Sequence, residues 1–176
     1  VAATEQTETA YVFRGPQVWG MSAERFRDAV GSVAGEWYGK PAAQIVRADG
    51  ATNRFTATRA ALVAADTLQV ALGRPNREQV LTARPPNATT LQALELTNGS
   101  ELAEVLKQSA EKILAAGNAR SPEAIVSQVY EKALGRKATR METQLASNLV
   151  GQPAQASGVE DLLWSLTMLP EFQLIY

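Results

Sequence analysis

In the second half of the chain, apolar residues recur at helical spacing, and this pattern predicts four helices. The first begins near Ser100, and the second begins at Pro122 behind the N-cap residue Ser121. The third opens at Thr139 with the spacing of a capping box, and the fourth covers about 157–168 before Pro170. The residues expected to face inward are, helix by helix, Leu102, Val105, Leu106, Ala110, Ile113 and Leu114; Ile125, Val126, Val129, Tyr130, Ala133 and Leu134; Met141, Leu145 and Leu149; and Val159, Leu162, Leu163 and Leu166.

The first half is less regular. An amphipathic helix is predicted after Ser22, ending near Gly35, with Phe26, Ala29, Val30 and Val33 on its apolar side. Gly, Pro, Asp and Asn interrupt residues 36–56 too often for a long element. Helix is predicted again over about 57–72, with an interruption near Asp66, which would cap a second short turn.

These patterns predict an all-α protein with a helical bundle in its C-terminal half and a less regular, loop-rich N-terminal half. We expect an irregular N-terminal arm over 1–20, a loop-rich helical region over 21–99 and a four-helix bundle over 100–176. The three parts are expected to pack as one unit.

The tetrapeptide ALGR occurs twice, at 71–74 and at 133–136. The sequences around the two copies do not align, which argues against a duplicated unit. We interpret the tetrapeptide as a helix stop used twice. Ala and Leu complete the apolar stripe, Gly takes the left-handed position after the helix, and Arg is left outside.

Composition excludes several kinds of chemistry. The 176 residues include no Cys and no His, which excludes disulfides, thiolate or imidazole metal sites, and Ser-His or Cys-His nucleophile pairs. Covalent haem attachment through a C-x-x-C-H segment is excluded as well, so no cofactor is expected in this chain.

Charge and hydropathy also limit the partners. With 17 Lys and Arg against 18 Asp and Glu, no field covers the molecule that would attract nucleic acid. No apolar run approaches the roughly 18–20 residues needed to span a bilayer. The start at Val1, without Met or a signal-like segment, is interpreted as a processed or internal start.

Arginine is concentrated in the first half: residues 11–86 contain nine Arg and one Lys against six acids. Arginines in a loop rich in Pro and Asn can bind carboxylate, sulfate or phosphate. The candidate anion or partner contacts are Arg74, Asn76, Arg77 and Arg84. The alternative is that these arginines fasten an irregular loop to helix C-termini and to acids such as Glu78 and Glu95.

Other polar and aromatic candidates have structural explanations. The carboxylate pairs Glu101/Glu104 and Glu160/Asp161 lie in first turns of predicted helices, where acids offset the helix dipole. No residue is therefore predicted to be catalytic. The aromatic residues flanking the first helix could stack on sugars or bases, but we interpret them as core residues: Trp19, Trp37 and Tyr38.

Several segments, taken in order, resemble the planctomycete secreted domain family. They are YVFRGPQVWGMSAERFRDAV, ALGRPNREQVLTARPPNATTLQALELTNG, VYEKALGRKATRMETQL and LLWSLTMLPEFQLIY. The hallmarks are Arg84-Pro85 followed by TLQAL at 90–94, the ALGR hairpin with an acid after it, and a last helix leading to Pro-Glu-Phe.

The family is a C-terminal domain of unknown function in large secreted proteins, commonly behind a planctomycete-type cytochrome c domain. The resemblance implies a periplasmic or cell-surface location and a haem in a parent or partner polypeptide. It implies no catalytic residues, since the family has none established.

Two functions remain open from the sequence. The first is a non-catalytic helical interaction or structural domain, the C-terminal part or a subunit of a larger exported, cytochrome-c-associated protein, with the Arg-rich half as its contact surface. Its partners would be other domains or subunits of the parent, including a c-type cytochrome.

The alternative is an accessory part of a periplasmic enzyme that acts on an anionic carbohydrate or similar polymer through the Arg-rich loop. Burial of the arginines against helix ends would favour the first function, which we prefer, and we do not expect this chain alone to be an enzyme.

Overall fold

The computed structural model of the chain describes residues 15, 18–35, 59–75, 88–116 and 121–175. The predicted all-α class is confirmed, since helices dominate these ranges and the strands in them form a single short two-stranded ribbon. The helices are α1 (Ala23–Ala34), a 3-10 turn (Ala60–Leu62), α2 (Thr67–Ala71), α3 (Thr90–Asn98), α4 (Ser100–Ala115), α5 (Pro122–Leu134), α6 (Arg140–Val150), α7 (Ala156–Met168) and α8 (Pro170–Gln173). The ribbon pairs β1 (Trp19–Gly20) with β2 (Leu174–Ile175) in antiparallel fashion.

The predicted helix starts are confirmed by their caps. The hydroxyl of Ser22 accepts from the Arg25 N–H, and that of Ser121 accepts from the Ala124 N–H. Thr139 and Glu142 form the full capping box of α6, with the Glu142 carboxylate accepting from the Thr139 N–H at 2.7 Å. Side-chain oxygens thus satisfy amide donors that have no partner inside the helix.

The region predicted as one interrupted helix over 57–72 is a 3-10 turn and a separate short helix. Extended backbone at Val63 and Asp66 separates the two. Asp66 caps α2 as predicted, its Oδ1 accepting from the Gln69 N–H at 2.7 Å. Residues 57 and 58 lie outside the described residues.

The helix α3 was not predicted from the apolar pattern. None of its residues is buried, and Leu91 and Leu94 are each 54% exposed, so the sequence has no inward-facing stripe to recognise. Its start is nevertheless marked by a capping box between Thr89 and Gln92.

The core lies among α4, α5, α6 and α7, in which α4 packs on α7 and α6 packs on both α5 and α7. Helix α1 contacts α4 and α5 and contributes to the same core. The Phe26 ring of α1 meets the Phe172 ring of α8 edge to face, with centroids 6.1 Å apart. The innermost side chains are Val30, Leu68, Leu102, Leu106, Ile125, Val126, Val150, Val159 and Leu163.

Hydrogen bonds join the described part of the first half to the second half. Next to the β1–β2 ribbon, the Met21 N–H donates to the Gln173 carbonyl at 2.9 Å. At the other end of α1, the Lys132 ammonium donates to the Val33 carbonyl at 2.8 Å. A cation is favourable there because helix C-termini carry partial negative charge.

Candidate interaction surfaces

Arg74, the first of the predicted anion contacts, is used inside the fold. Its Nη1 donates to the Ala60 carbonyl at 2.8 Å and to Gln69 Oε1 at 2.7 Å. Its Nη2 donates to the carbonyls of Val63 at 2.7 Å and Ala61 at 3.3 Å. Only 13% of the side chain is exposed. Arg74 therefore fastens the 3-10 turn and the following bend to α2.

The other predicted contacts Asn76, Arg77 and Arg84 lie outside the described residues, as do Trp37 and Tyr38. Trp19 lies on β1 and is 61% exposed, so the interpretation of Trp19 as a core residue is wrong. A two-residue edge strand places alternate side chains on opposite faces, and that of Trp19 is turned away from the core.

Charged side chains of α1 hold the same region in place. The Asp28 carboxylate accepts from the Ala60 N–H at 2.7 Å and pairs with Arg59 at 3.3 Å. The buried Arg27 forms an ion pair with Asp66, the cap of α2. These charges are partnered across the contact between α1 and residues 59–66, where unpaired burial would be costly.

Arg136, in the second ALGR, joins α5, α6 and α8. It forms two hydrogen bonds with the Glu142 carboxylate at 2.8 and 2.9 Å and two with the Glu171 carboxylate at 2.7 and 2.9 Å. A fifth bond reaches the Lys137 carbonyl at 3.1 Å. All five guanidinium donors are thus used. The guanidinium also lies 5.6 Å from the centre of the Tyr130 ring.

This cluster shifts the acid–base equilibria of its members. Hydrogen bonds from Arg136, and after them the Thr139 backbone N–H, lower the pKa of Glu142 to about 2. The Arg136 hydrogen bonds also lower the pKa of Glu171. Burial, followed by the Glu142 charge, raises the pKa of Tyr130. Both carboxylates therefore stay ionised to a lower pH than an ordinary glutamate does.

The two ALGR tetrapeptides share a helix stop, as predicted. Gly73 and Gly135 have φ of 85° and 67°, in the left-handed region that ends helices. The prediction that the arginine is left outside is wrong, because both Arg74 and Arg136 turn back and fasten neighbouring segments. The sequence feature that could have indicated these contacts is the arginine directly after the glycine. The chain changes direction at the left-handed glycine, and this change brings the arginine side chain beside the carbonyls and acids of adjacent elements.

An apolar row lies on the outer surface of α6. Met141, Leu145 and Leu149 are 73%, 65% and 43% exposed, whereas the sequence predicted them as the buried face. The buried residues of α6 are instead Ala146 and Val150. We call Met141, Leu145 and Leu149 the α6 stripe.

The inward face of α6 includes Glu142, which pairs with Arg136. Glu142, Ala146 and Val150 are four residues apart and share one helical face. Arg136 and the capping box hold Glu142 toward α5 and α8, so the small residues below it turn inward. Positions 141, 145 and 149 each precede that face by one residue, or about 100°, and turn outward.

The two carboxylate pairs singled out in the sequence lie on α4 and α7. Glu101 lies in the first turn of α4, as expected for an acid at a helix start, whereas Glu104 lies past that turn and accepts from the Gln108 side chain. Glu160 and Asp161 lie past the first turn of α7, which contains no acid, so the dipole explanation for this pair is wrong. Across the described ranges, no group of three or more acids is placed to hold a metal ion. Within the same ranges, no helix is both long and apolar enough to cross a membrane.

The architecture defines an all-α domain whose charged clusters fasten its helices and whose surface includes an apolar row on α6. The chain belongs to the PSD1 family of proteins of unknown function (DUF1553), whose family model matches residues 2–150. The resemblance to a domain family of unknown function is confirmed to this extent. No curated protein and no solved structure matches the chain. The matched region ends with α6, and α7 and α8 follow it.

Proposed function

We propose that this chain is a non-catalytic helical interaction domain of a larger exported protein. It docks onto another domain or subunit of that protein through the α6 stripe. The observation that supports this proposal is the exposure of three large apolar side chains in one row along α6. Single exposed apolar residues are ordinary, but a contiguous row of them is typical of an interaction surface.

The chemistry of the stripe indicates the kind of surface that would cover it. Gln144 and Asn148, which are also exposed, lie beside the stripe and are uncharged. Glu142, the acid closest in sequence, is engaged by Arg136. An apolar helix face or groove with few charges would fit this surface, since interface cores are depleted in charged residues.

The site proposed here differs from the Arg-rich surface expected from the sequence. Both Nη atoms of Arg74 donate to neighbouring carbonyls or to Gln69, so neither has a donor left for a partner. The same fact weakens the alternative of an accessory domain that binds an anionic polymer, because Arg74 was one of its ligands.

The proposal for the parent protein and its location rests on the family resemblance. We propose a periplasmic or cell-surface location and a parent that includes a c-type cytochrome domain. Because the chain contains neither His nor Cys, any haem would be held by the rest of the parent or by a partner polypeptide.

The test is to isolate the native protein gently and to record its intact mass and visible absorption spectrum. We expect the chain to elute with haem absorption and with more polypeptide than its own 18.9 kDa. If the partner is a separate subunit, a strain carrying Leu145→Gln should lose part of this association, whereas Glu111→Gln, at an exposed position on α4, should not. Colourless material of 18.9 kDa, unaffected by either change, would contradict the proposal.

A further inference from the structure

A second surface feature lies on different helices from the α6 stripe. A cleft of about 290 Å³ opens between the α3–α4 junction and α7. Leu96, Leu102, Ala103 and Leu106 form its apolar part, and Glu160, Asp161 and Trp164 lie on the α7 side. The cleft thus combines an apolar floor, two carboxylates and an indole ring.

Trp164 is held in a defined position at the rim of the cleft. Its indole N–H donates to the Leu96 carbonyl at 2.9 Å, which ties α7 to α3. The residue is still 37% exposed, so part of the ring remains available to a ligand. Glu160 and Asp161 precede Trp164 by four and three residues, and side chains at these spacings are neighbours on a helix surface.

Neither an ion pair within the described residues nor the dipole of α7 accounts for the two carboxylates. None of the ion pairs among the described residues involves Glu160 or Asp161. They also lie past the first turn of α7, so they do not offset its dipole.

The charged residues that line the cleft are all acidic. Neither α3 nor α7 contains Lys or Arg. Helix α4, which supplies Leu102, Ala103 and Leu106, carries three acids and two lysines, none of which lines the cleft. A further carboxylate lies nearby, because Glu95 Oε2 is 2.7 Å from the position that a Cβ on Gly99 would occupy, and Gly99 lines the cleft. This arrangement favours a cationic ligand.

We propose that the cleft binds the guanidinium group of an arginine side chain from a partner polypeptide. The planar cation would stack on the exposed part of Trp164, and its N–H donors would reach Glu160 and Asp161. Its apolar stem would lie against Leu96 and Ala103. Arginine fits better than lysine because its planar guanidinium can stack on the Trp164 ring while its N–H groups donate to the carboxylates.

The occupant is a side chain rather than a free small molecule because the rim of the cleft is open. Asp161 and Trp164 are exposed, whereas sites for small ligands usually enclose most of the ligand surface. This inference does not depend on the α6 stripe, which lies on another helix, and either can fail without the other.

The test uses NMR of the ¹⁵N-labelled chain titrated with an acetylated, amidated Gly-Arg-Gly peptide. We expect weak, saturable binding that shifts the Trp164 indole resonance and the amides of 96–103 and 160–164. The double change Glu160→Gln and Asp161→Asn should weaken binding roughly tenfold. The matched control Glu104→Gln and Glu111→Gln removes two exposed acids of α4 and should leave binding unchanged.

Two further peptides test the chemistry of the ligand. The citrulline peptide keeps the shape of arginine without its charge and should not bind, and the lysine peptide should bind more weakly than the arginine peptide. Equal binding of arginine and lysine, or binding of citrulline, would overturn the proposal. So would shifts spread evenly over all acidic surfaces, or equal losses in both double variants. The dispersion of each variant's spectrum confirms that it is folded before its affinity is compared.

Discussion

The orientation of α6 predicts an unusual tolerance to truncation at Leu145. About a third of this residue is buried, since it is 65% exposed. Full burial of a leucine side chain contributes about 1.5–3 kcal/mol, so Leu145→Ala should cost no more than about 1 kcal/mol. Leu162, which is 2% exposed on α7, is the matched core position, and Leu162→Ala should cost about 2–5 kcal/mol because it also leaves a cavity.

The assay is urea unfolding of the isolated chain, followed by circular dichroism or tryptophan fluorescence. The two variants have the same chemical change on helices of similar length, so their difference reports burial alone. The dependence on urea should keep its slope, which tracks the surface exposed on unfolding. A loss for Leu145→Ala as large as that for Leu162→Ala would refute the outward orientation of the stripe.

Three other substitutions test the remaining contacts. Arg74→Lys should destabilise the chain by about 1–3 kcal/mol in urea, because a lysine cannot satisfy the carbonyl groups that the guanidinium reaches, and an unchanged midpoint would show that those bonds contribute nothing. Gly158→Ala should cost about 1–3 kcal/mol, although alanine favours helix, because its Cβ would lie 2.3 Å from the Leu149 carbonyl oxygen; higher thermal stability would contradict this packing. The lowered pKa of Glu142, about 2 against an ordinary 4.5, stabilises the fold above the ordinary value, and this stabilisation is lost as pH falls from about 4.5 through 2. Glu142→Gln should therefore be less stable at pH 7 and lose less on acidification than the wild type, and parallel urea midpoints between pH 7 and pH 3 would contradict it.

Local signals in the sequence were sufficient for most of the helices. Capping residues and left-handed glycines act within one turn, so Ser22, Ser121, Thr139, Gly73 and Gly135 marked helix ends correctly. Helix α3 was not predicted because none of its residues is buried. The regular spacing of apolar residues by which a helix is recognised arises when one face is buried.

The rotation of α6 required information that a periodic pattern does not contain. The stripe of Met141, Leu145 and Leu149 is more apolar than the face of Ala146 and Val150, and pattern analysis selects the more apolar face. The structure turns the other face inward. That face includes Glu142, which pairs with Arg136 six residues earlier, and Arg136 in turn pairs with Glu171 of α8, a contact 35 residues apart that spacing alone does not identify.

The candidate sites show the same limit. Composition drew attention to Arg74, but whether this side chain faces water or carbonyl groups depends on how residues 59–66 fold back on α2. Glu160 and Asp161 line a cleft because α3 lies next to α7, and the sequence pattern did not predict this tertiary contact.

The most direct test of the proposed docking function is photo-crosslinking of the native protein at the α6 stripe. Benzoylphenylalanine would replace Leu145 in one strain and Glu111 in a control strain, and the crosslinked peptides would be identified by mass spectrometry. We expect strong crosslinks from position 145 to another domain or subunit of the parent protein, with few from position 111. Crosslinks no stronger than the control, or crosslinks only to a second copy of α6, would contradict it.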